Sequence, residues 1–231
     1  MEQNGFGRLL SVLVSPAKTF QAIAARPTWV AAMIVLVLIG TVSGFVAMQK
    51  VDFDQAIRAQ MEERGNMSAE QIDGAVAMAS KFKNVGLIFG VVFSVGSMFL
   101  IGLIFWVAFK MLGSESSYIS SLATSLHAMM PNAVSGLLSI PVVLGKEEVS
   151  LQAVQQQTLL ASSLAVLAPE GTSKYLVTLL GSVDVFSIWT VALLALGYGV
   201  TAKVSKGTAW GVVAALWAVW ILTKLGLTAL R

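Results

Sequence analysis

The sequence predicts an all-α polytopic membrane protein, a bundle of five transmembrane helices with an interfacial amphipathic segment at its N-terminus. Four long apolar runs and a fifth, more polar one indicate the spans, at residues 29–48, 85–109, 119–144, 185–202 and 210–230. A hydrocarbon core about 30 Å thick needs roughly 20 helical residues, and backbone groups in lipid must be hydrogen-bonded within their own segment. Composition agrees, because 56% of the 231 residues are hydrophobic and only 12% are charged.

Composition also excludes several kinds of site and partner. The chain has no cysteine and one histidine, which rules out disulfides, iron–sulfur clusters and a multi-histidine metal site in one chain. We therefore expect no metal and no cofactor. A net charge of +3 without a dense basic tract predicts no nucleic-acid partner. Five spans consume about half of the chain, which leaves no room for a separate globular enzyme domain.

Residues 1–28 are predicted to form an amphipathic leader, followed by the membrane domain 29–231. Ser15-Pro16 indicates a helix start, since proline is favoured at the first helical position. We expect this leader to lie in the membrane interface with its cations toward the lipid headgroups. The alternative is a solvated tail whose apolar residues are incidental. The apolar residues concerned lie beside Arg8 and are Phe6, Leu9, Leu10, Val12 and Leu13.

Residues 49–84 are predicted to form a helical hairpin outside the bilayer. Its first helix covers about 54–64, a turn follows at Gly65-Asn66, and Ser68-x-x-Gln71 matches a capping box at the start of the second helix. That second helix is expected to run into the second span. In the other long polar connection, the apolar stretch 158–168 is too short to cross the membrane. We expect it to be an interfacial or shallow re-entrant helix.

The third span is the one with a polar face. Polar residues recur there every three or four positions, so they share one side of a helix. We expect this helix inside the bundle, bent at Pro131. His127 is interpreted as hydrogen-bonded within the bundle, and the alternative is a general base or proton relay. The residues of the polar face are Ser117, Ser120, Thr124, His127, Pro131, Ser135 and Ser139.

Small residues spaced by four favour close helix contacts. They form the motifs Gly40-x-x-x-Gly44, Gly86-x-x-x-Gly90-x-x-x-Ser94 and Gly207-x-x-x-Gly211-x-x-x-Ala215. Packing within the chain and self-association would both use these motifs.

The distribution of lysine and arginine favours a cytoplasmic N-terminus and an external C-terminus. With this orientation the short inner loops carry Lys110, Lys203 and Lys206 directly beside spans, where the positive-inside rule has its force.

One segment carries a family resemblance. The stretch Ser182-Val-Asp-Val-Phe-Ser-Ile-Trp189, with the turn at 203–206 and the final helix, resembles the Yip family of Ypt/Rab-interacting proteins. The leader pattern Leu13-x-Ser-Pro16-x-x-Thr-Phe20 and Pro131 are similar to its bacterial members. The resemblance implies five helices, a cytoplasmic N-terminus and a bacterial cytoplasmic membrane. About 28 residues precede the first span here, whereas many eukaryotic members have a long cytoplasmic region, so a GTPase partner is not expected.

The predicted function is that of a non-enzymatic membrane scaffold or accessory subunit, which organises a membrane complex or membrane shape. Its partners would be the lipid bilayer and another membrane protein or a second copy. The alternative is a small-solute or proton-coupled transporter or channel that uses the polar face of the third span. An intramembrane enzyme would require His127 to pair with an acid from another span. The string Gly197-Tyr-Gly199-Val-Thr-Ala202 lies at a helix end and does not indicate dinucleotide binding.

No catalytic residue is predicted, and the candidate structural or interaction residues are Asp184, Phe186, Trp189, Lys224, His127 and Pro131. Asp184 begins the fourth span and Lys224 lies late in the fifth, so antiparallel helices bring both charges toward one membrane face. We predict a salt bridge between them. The alternative is that Asp184 caps its own helix while Lys224 reaches the headgroups alone.

Overall fold

The computed structural model describes residues 5–63, 65, 67–156, 158–169 and 171–229. Helices follow one another through these ranges, and an isolated bridge between Ser163 and Asp184 is the extended pairing found there. The fold is all-α, as predicted. The helices are α1 Gly5–Val14, α2 Pro16–Ala25, α3 Val30–Gln49, α4 Phe53–Glu63, α5 Ala69–Met111, α6 Tyr118–Ala128, α7 Met130–Leu144, α8 Leu151–Gln156, α9 Lys174–Gly181, α10 Val185–Thr201 and α11 Lys206–Ala229.

Five segments account for the predicted spans. In the described part of the chain, four are long and apolar enough to cross a membrane: Val30–Gln49, Val85–Met111, Tyr118–Leu144 and Lys206–Ala229. The fifth, α10, is a shorter apolar helix of 17 residues. At 1.5 Å per residue it reaches about 26 Å, the lower end of the range for a membrane span. The prediction of a polytopic helical membrane protein is confirmed.

The third span is two helices in series. α6 ends at Ala128, Met129 has ψ near zero, and α7 begins at Met130 with Pro131 in its first turn. The interruption lies where Pro131 was expected to bend the helix, because proline cannot donate the hydrogen bond that a continuous helix needs. In the apolar stretch of this span 44% is buried inside the protein, against 6–17% in the corresponding stretches of the other three long spans. The third span is therefore the interior helix of the bundle.

The two ends of the bundle are each held together by loop contacts. At one end the Ser114 hydroxyl donates to the Ala202 carbonyl across 2.9 Å, which joins the connections α5–α6 and α10–α11. At the other end Val149 N–H donates to the Lys50 carbonyl across 2.9 Å. We call the first end, which also carries the leader, the leader side. The second end, which carries the hairpin 49–84, is the hairpin side.

The leader packs into the bundle on one face and leaves the other face open. Leu9 and Val12 of α1, and Phe20 and Ile23 of α2, are buried in the main core. α2 contacts α10 and α6. The residues of the open face recur every four positions and are between 63% and 80% exposed, namely Phe6, Leu10 and Val14. The leader is therefore anchored on the bundle through one face, and the apolar residues of its other face are exposed.

The helical hairpin predicted at residues 49–84 is present in the described residues, with one part of its turn outside them. The Ser68 and Gln71 capping box is formed, and α5 continues without a break into the second span as a helix of 43 residues. α4 is held against α5 by the ion pair of Arg58 with Asp73, 2.6 Å apart, which raises the pKa of the Arg58 guanidinium. The Ser80 hydroxyl donates to the Asp54 carboxylate. Asn66 of the predicted turn lies outside the described residues.

The prediction of a helix over 158–168 is wrong. The described residues of this stretch are turns and bends with a single 3₁₀ turn, Leu164–Leu167. The reason is a competing extended pairing, since Leu164 N–H donates to the Val183 carbonyl and Val185 N–H donates to the Ser162 carbonyl. These two bonds fasten the loop to the start of α10.

The glycines of the bundle fall into two groups. A Cβ added at Gly102, Gly136 or Gly197 would lie 3.0 Å or less from a neighbouring side chain. In the described structure, a Cβ at Gly40, Gly44, Gly86, Gly90 or Gly211 would have no non-local neighbour within 4 Å. These five motif glycines therefore make no close contact with another helix in the part of the chain that the structure describes.

Candidate functional site

The most polar part of the bundle interior surrounds Tyr198. Its ring is 1% exposed and stacks between Phe105 and Phe109, with centroid distances of 4.9 and 4.6 Å. Its hydroxyl lies 2.7 Å from Ser121 Oγ and 2.7 Å from Ser125 Oγ. A helix of the fourth span thus places one phenol against the polar face of the third span.

The hydroxyl protons of this cluster form a directed chain. Ser121 donates to the Gly102 carbonyl across 2.9 Å, and the Tyr198 hydroxyl, which lies against Ser121 Oγ, donates to the Ser121 carbonyl across 3.1 Å. Tyr198 then accepts from Ser125. Because each hydroxyl has a single proton, this order satisfies all three groups without water. The chain links α5, α6 and α10 through hydrogen bonds inside the apolar core.

A second pair of hydroxyls lies one helical turn from Tyr198. Thr124 Oγ1 is 2.9 Å from Thr201 Oγ1, and Thr201 donates to the Gly197 carbonyl across 3.0 Å. Gly197 permits this approach, since a Cβ there would lie 2.8 Å from both the Phe20 ring and the Thr124 methyl group. Three elements, α2, α6 and α10, meet at this glycine.

His127 and Arg8 are the buried titratable groups beside this cluster. His127 is fully buried and its Nδ1 lies 2.8 Å from the Ala123 carbonyl, one turn earlier in α6. Arg8 reaches in from α1, where one guanidinium nitrogen donates to the Arg26 carbonyl across 2.7 Å. Among the described residues, Arg8 Nε and His127 Nε2 have no hydrogen-bond partner.

Asp184 caps α10. Its carboxylate accepts from Phe186 N–H across 2.7 Å and from Ser187 N–H across 3.2 Å, and Ser187 Oγ accepts from Asp184 N–H. No ion pair within 4 Å joins Asp184 to Lys224 in the part of the chain that is described. Of the two arrangements expected from the sequence, the structure contains the cap.

The remaining predicted residues have separate places. Trp189 is half-buried against the main core, and Phe186 is half-buried one residue into α10. Lys224 lines a small cleft on the hairpin side with Thr158, Val177, Thr178 and Gly181. The structure therefore brings His127 into the polar core and places Asp184, Phe186 and Lys224 at the hairpin side, away from it.

Sequence reasoning missed Tyr198, Thr201 and Arg8. Tyr198 and Thr201 lie within the string 197–202, whose glycine spacing suggested only a chance nucleotide motif. The useful signal was a tyrosine and a threonine three residues apart in an apolar span, which require polar partners in the facing helix. Arg8 was placed at a lipid surface because cations are usually solvated, and its burial depends on tertiary contacts.

The arrangement favours structural hydrogen bonding over chemistry. In the described ranges no group of three or more His, Asp and Glu side chains is placed to hold a metal ion. The hydroxyls around Tyr198 are held by one another and by backbone carbonyls. A buried hydroxyl that is fully paired stabilises and specifies the packing of its helices.

Two comparisons with known proteins show which family the chain belongs to. The Yip1 domain matches residues 10–227. The chain is 27% identical over 202 residues to the protein described as "Membrane protein YknW" of Bacillus subtilis (strain 168), with 87% of this chain and 81% of that protein covered. No solved structure matches. Neither description is that of an enzyme family. The chain belongs to the Yip1 domain family and is an integral, multi-pass membrane protein.

Proposed function

We propose that this protein is a non-enzymatic scaffold or accessory subunit of a bacterial cytoplasmic membrane. It would hold a partner membrane protein, or a second copy, against its lipid-facing helices. The observation that carries the proposal is a contrast between the two sides of its helices. The inner polar face is closed by the protein's own side chains, whereas a Cβ added at most glycines of the outer small-residue motifs would meet no atom of another helix within 4 Å in the described chain.

The closed interior argues against a solute pathway. Ser121, Ser125 and Thr124 are at most 1% exposed, and each is hydrogen-bonded to a neighbouring helix. A pathway would require these groups to exchange their partners for water or substrate. Leaving a buried polar group unpaired costs about 1–3 kcal/mol, so opening the cluster requires compensation at each group.

The outer faces support a partner. Gly86 and Gly90 lie on the membrane-spanning part of α5, Val85–Met111, whose apolar stretch is only 11% buried within the described protein. Small residues at this spacing allow two helix backbones to approach closely and gain van der Waals contact. The neighbouring exposed side chains, Phe89 and Phe93, are 69% and 79% exposed and would flank such a contact.

Site-specific photo-crosslinking tests the proposal, and the absence of native cysteine makes it practical. We expect Gly90→Cys, labelled with a thiol-reactive benzophenone in native membranes, to yield one discrete crosslinked product after irradiation. The matched control is Leu222→Cys on α11, where the side chain is 66% exposed but not in a small-residue motif. Similar diffuse labelling from both positions would show lipid contact alone and would contradict a partner at α5.

A proton-coupled transporter remains the second candidate, because two atoms of buried titratable side chains have no hydrogen-bond partner among the described residues. They are Arg8 Nε and His127 Nε2. If His127 is structural, His127→Asn retains the assembly and most of the thermal stability, since an amide can still hydrogen-bond. Loss of a pH-driven flux in proteoliposomes for a correctly inserted His127→Asn variant would favour the transporter.

A further inference from the structure

A cleft of about 420 Å³ opens at the leader side, between the connections α5–α6 and α10–α11. Its volume is in the range of sites for small ligands. One wall is formed by Leu112, Gly113, Ser114 and Glu115, and the other by Ala202, Lys203, Val204, Ser205 and Thr208. The cleft is separate from the polar core and has no part in the scaffold proposal.

The two walls are held at a fixed separation. The Ser114 hydroxyl donates to the Ala202 carbonyl across 2.9 Å and accepts from Ser116 N–H across 3.2 Å. The Ser116 carbonyl in turn accepts from the indole of Trp106 across 3.0 Å. The loop that carries Glu115 is therefore fastened to both α5 and the end of α10.

Each wall presents one charge of opposite sign. Glu115 and Lys203 are exposed in the cleft, and neither forms an ion pair within the described chain. Two opposite charges that line one cleft without neutralising each other are suited to a ligand that carries both charges. The first turn of α11 begins beside Lys203 and adds its positive end to that wall.

The backbone at Lys203 is unusual for a lysine. Its φ is +54°, in the left-handed region, at the position that follows the end of α10. At the equivalent position after α5 the same conformation is taken by Gly113, with φ of +85°. Glycine is favoured there because a Cβ in this region is strained. A lysine at a position that prefers glycine points to a use for its side chain, and that side chain lines the cleft.

The position of the cleft limits what reaches it. It lies at the ends of membrane-spanning helices, and Leu112 on its rim is 53% exposed. Trp210, 45% exposed, lies just inside the start of α11, where tryptophan marks the level of the headgroups. Phospholipid headgroups are thus the ligands present at the highest local concentration.

We propose that this cleft binds the zwitterionic phosphoethanolamine headgroup of a phospholipid from the surrounding bilayer. Lys203 and the N-terminus of α11 hold the phosphate. Glu115 accepts from the ammonium group, which carries three N–H donors. A choline group has no such donor, and phosphatidylglycerol has no positive charge, so both are poorer ligands for the Glu115 wall.

The test uses the purified full chain in detergent, titrated with dihexanoyl phosphatidylethanolamine and followed by thermal unfolding. We expect Lys203→Gly to weaken binding about tenfold or more, as expected for a lost charge-assisted contact. The same variant should unfold about 2–4 °C higher without lipid, because the strained backbone is relieved. Glu115→Gln should weaken binding of the ethanolamine lipid and should strengthen binding of dihexanoyl phosphatidylglycerol, because the variant removes a negative charge from the cleft.

The control variant is Lys110→Gln, which removes an exposed lysine at the same membrane face but outside the cleft lining. Equal affinities of Lys203→Gly and Lys110→Gln for the ethanolamine lipid would overturn the site. Lys203→Asn, which also tolerates the left-handed conformation, should repeat the loss of binding. Saturation by soluble glycerophosphoethanolamine at the same concentration as the lipid would overturn the assignment to a bilayer headgroup.

Discussion

At Gly197, three helices approach more closely than any side chain would allow. A Cβ at this position would lie 2.8 Å from the ring of Phe20 and 2.8 Å from the methyl group of Thr124. Phe20 and Thr124 are fully buried, so neither side chain has room to move. The glycine therefore fixes how deeply the leader helix α2 enters the bundle.

We expect Gly197→Ala to destabilise the protein by about 1–3 kcal/mol, the usual cost of overpacking a rigid core. Thermal unfolding in detergent measures the change. The matched control is Gly211→Ala, where a Cβ meets no non-local atom within 4 Å in the described structure and helix propensity improves. Equal effects at the two positions would contradict the close contact at Gly197.

Single residues divide into those that the sequence predicts and those that it does not. The cap at Ser68 was predicted, and the cap at Asp184 was the alternative to the predicted salt bridge with Lys224. Both caps can be read from the sequence because capping depends on residues two or three positions away. Tyr198 and Arg8 depend on partners from other helices. Arg8 donates to a backbone carbonyl 18 residues away, and Tyr198 bonds to serines more than 70 residues away. Local pattern carries no information on such contacts.

The start of α10 is the element whose local chemistry is clearest. Asp184 accepts two backbone N–H groups and is joined to the loop before it, since Ser163 forms an isolated bridge with Asp184. The carboxylate is therefore hydrogen-bonded to the backbone of its own helix.

We expect Asp184→Asn to retain most of the stability, because asparagine is an equally good cap, and Asp184→Ala to lose about 0.5–2 kcal/mol. The charge-swapped pair Asp184→Lys with Lys224→Asp should show additive losses in thermal unfolding. Partial recovery in the double variant would mean that the two residues form a salt bridge in the membrane-bound protein.

Helices with long apolar runs and clear start or break signals were predicted well from the sequence, and the irregular loop was not. The continuous α5 and the interrupted third span follow from apolar runs, a capping box and one proline. The stretch 158–168 has an apolar composition that suits either a helix or a covered loop. Its bonds to Val183 and Val185 decide the outcome, and they join segments about 20 residues apart.

At the scale of the whole molecule, successive spans run in opposite directions, so the loops alternate between the two ends of the bundle. The leader and the connections that contain Ser114 and Lys203 share one side, and the hairpin lies on the other. Loop charge and the family resemblance both favour a cytoplasmic leader side. We expect a reporter fused after residue 231 to be exported and one inserted at Ser114 to remain cytoplasmic. The reverse pattern of reporter activity would invert the assigned orientation.

The central claim is that the polar core is sealed and structural, and cysteine accessibility tests it most directly. Ser125 is fully buried beside Tyr198, whereas Ser205 is exposed in the leader-side cleft. We expect Ser125→Cys, in nanodiscs that expose both membrane faces, to resist a water-soluble thiol reagent. Ser205→Cys should react completely under the same conditions. Modification of Ser125→Cys at a rate comparable to that of Ser205→Cys would demonstrate a water-filled path and contradict the scaffold account.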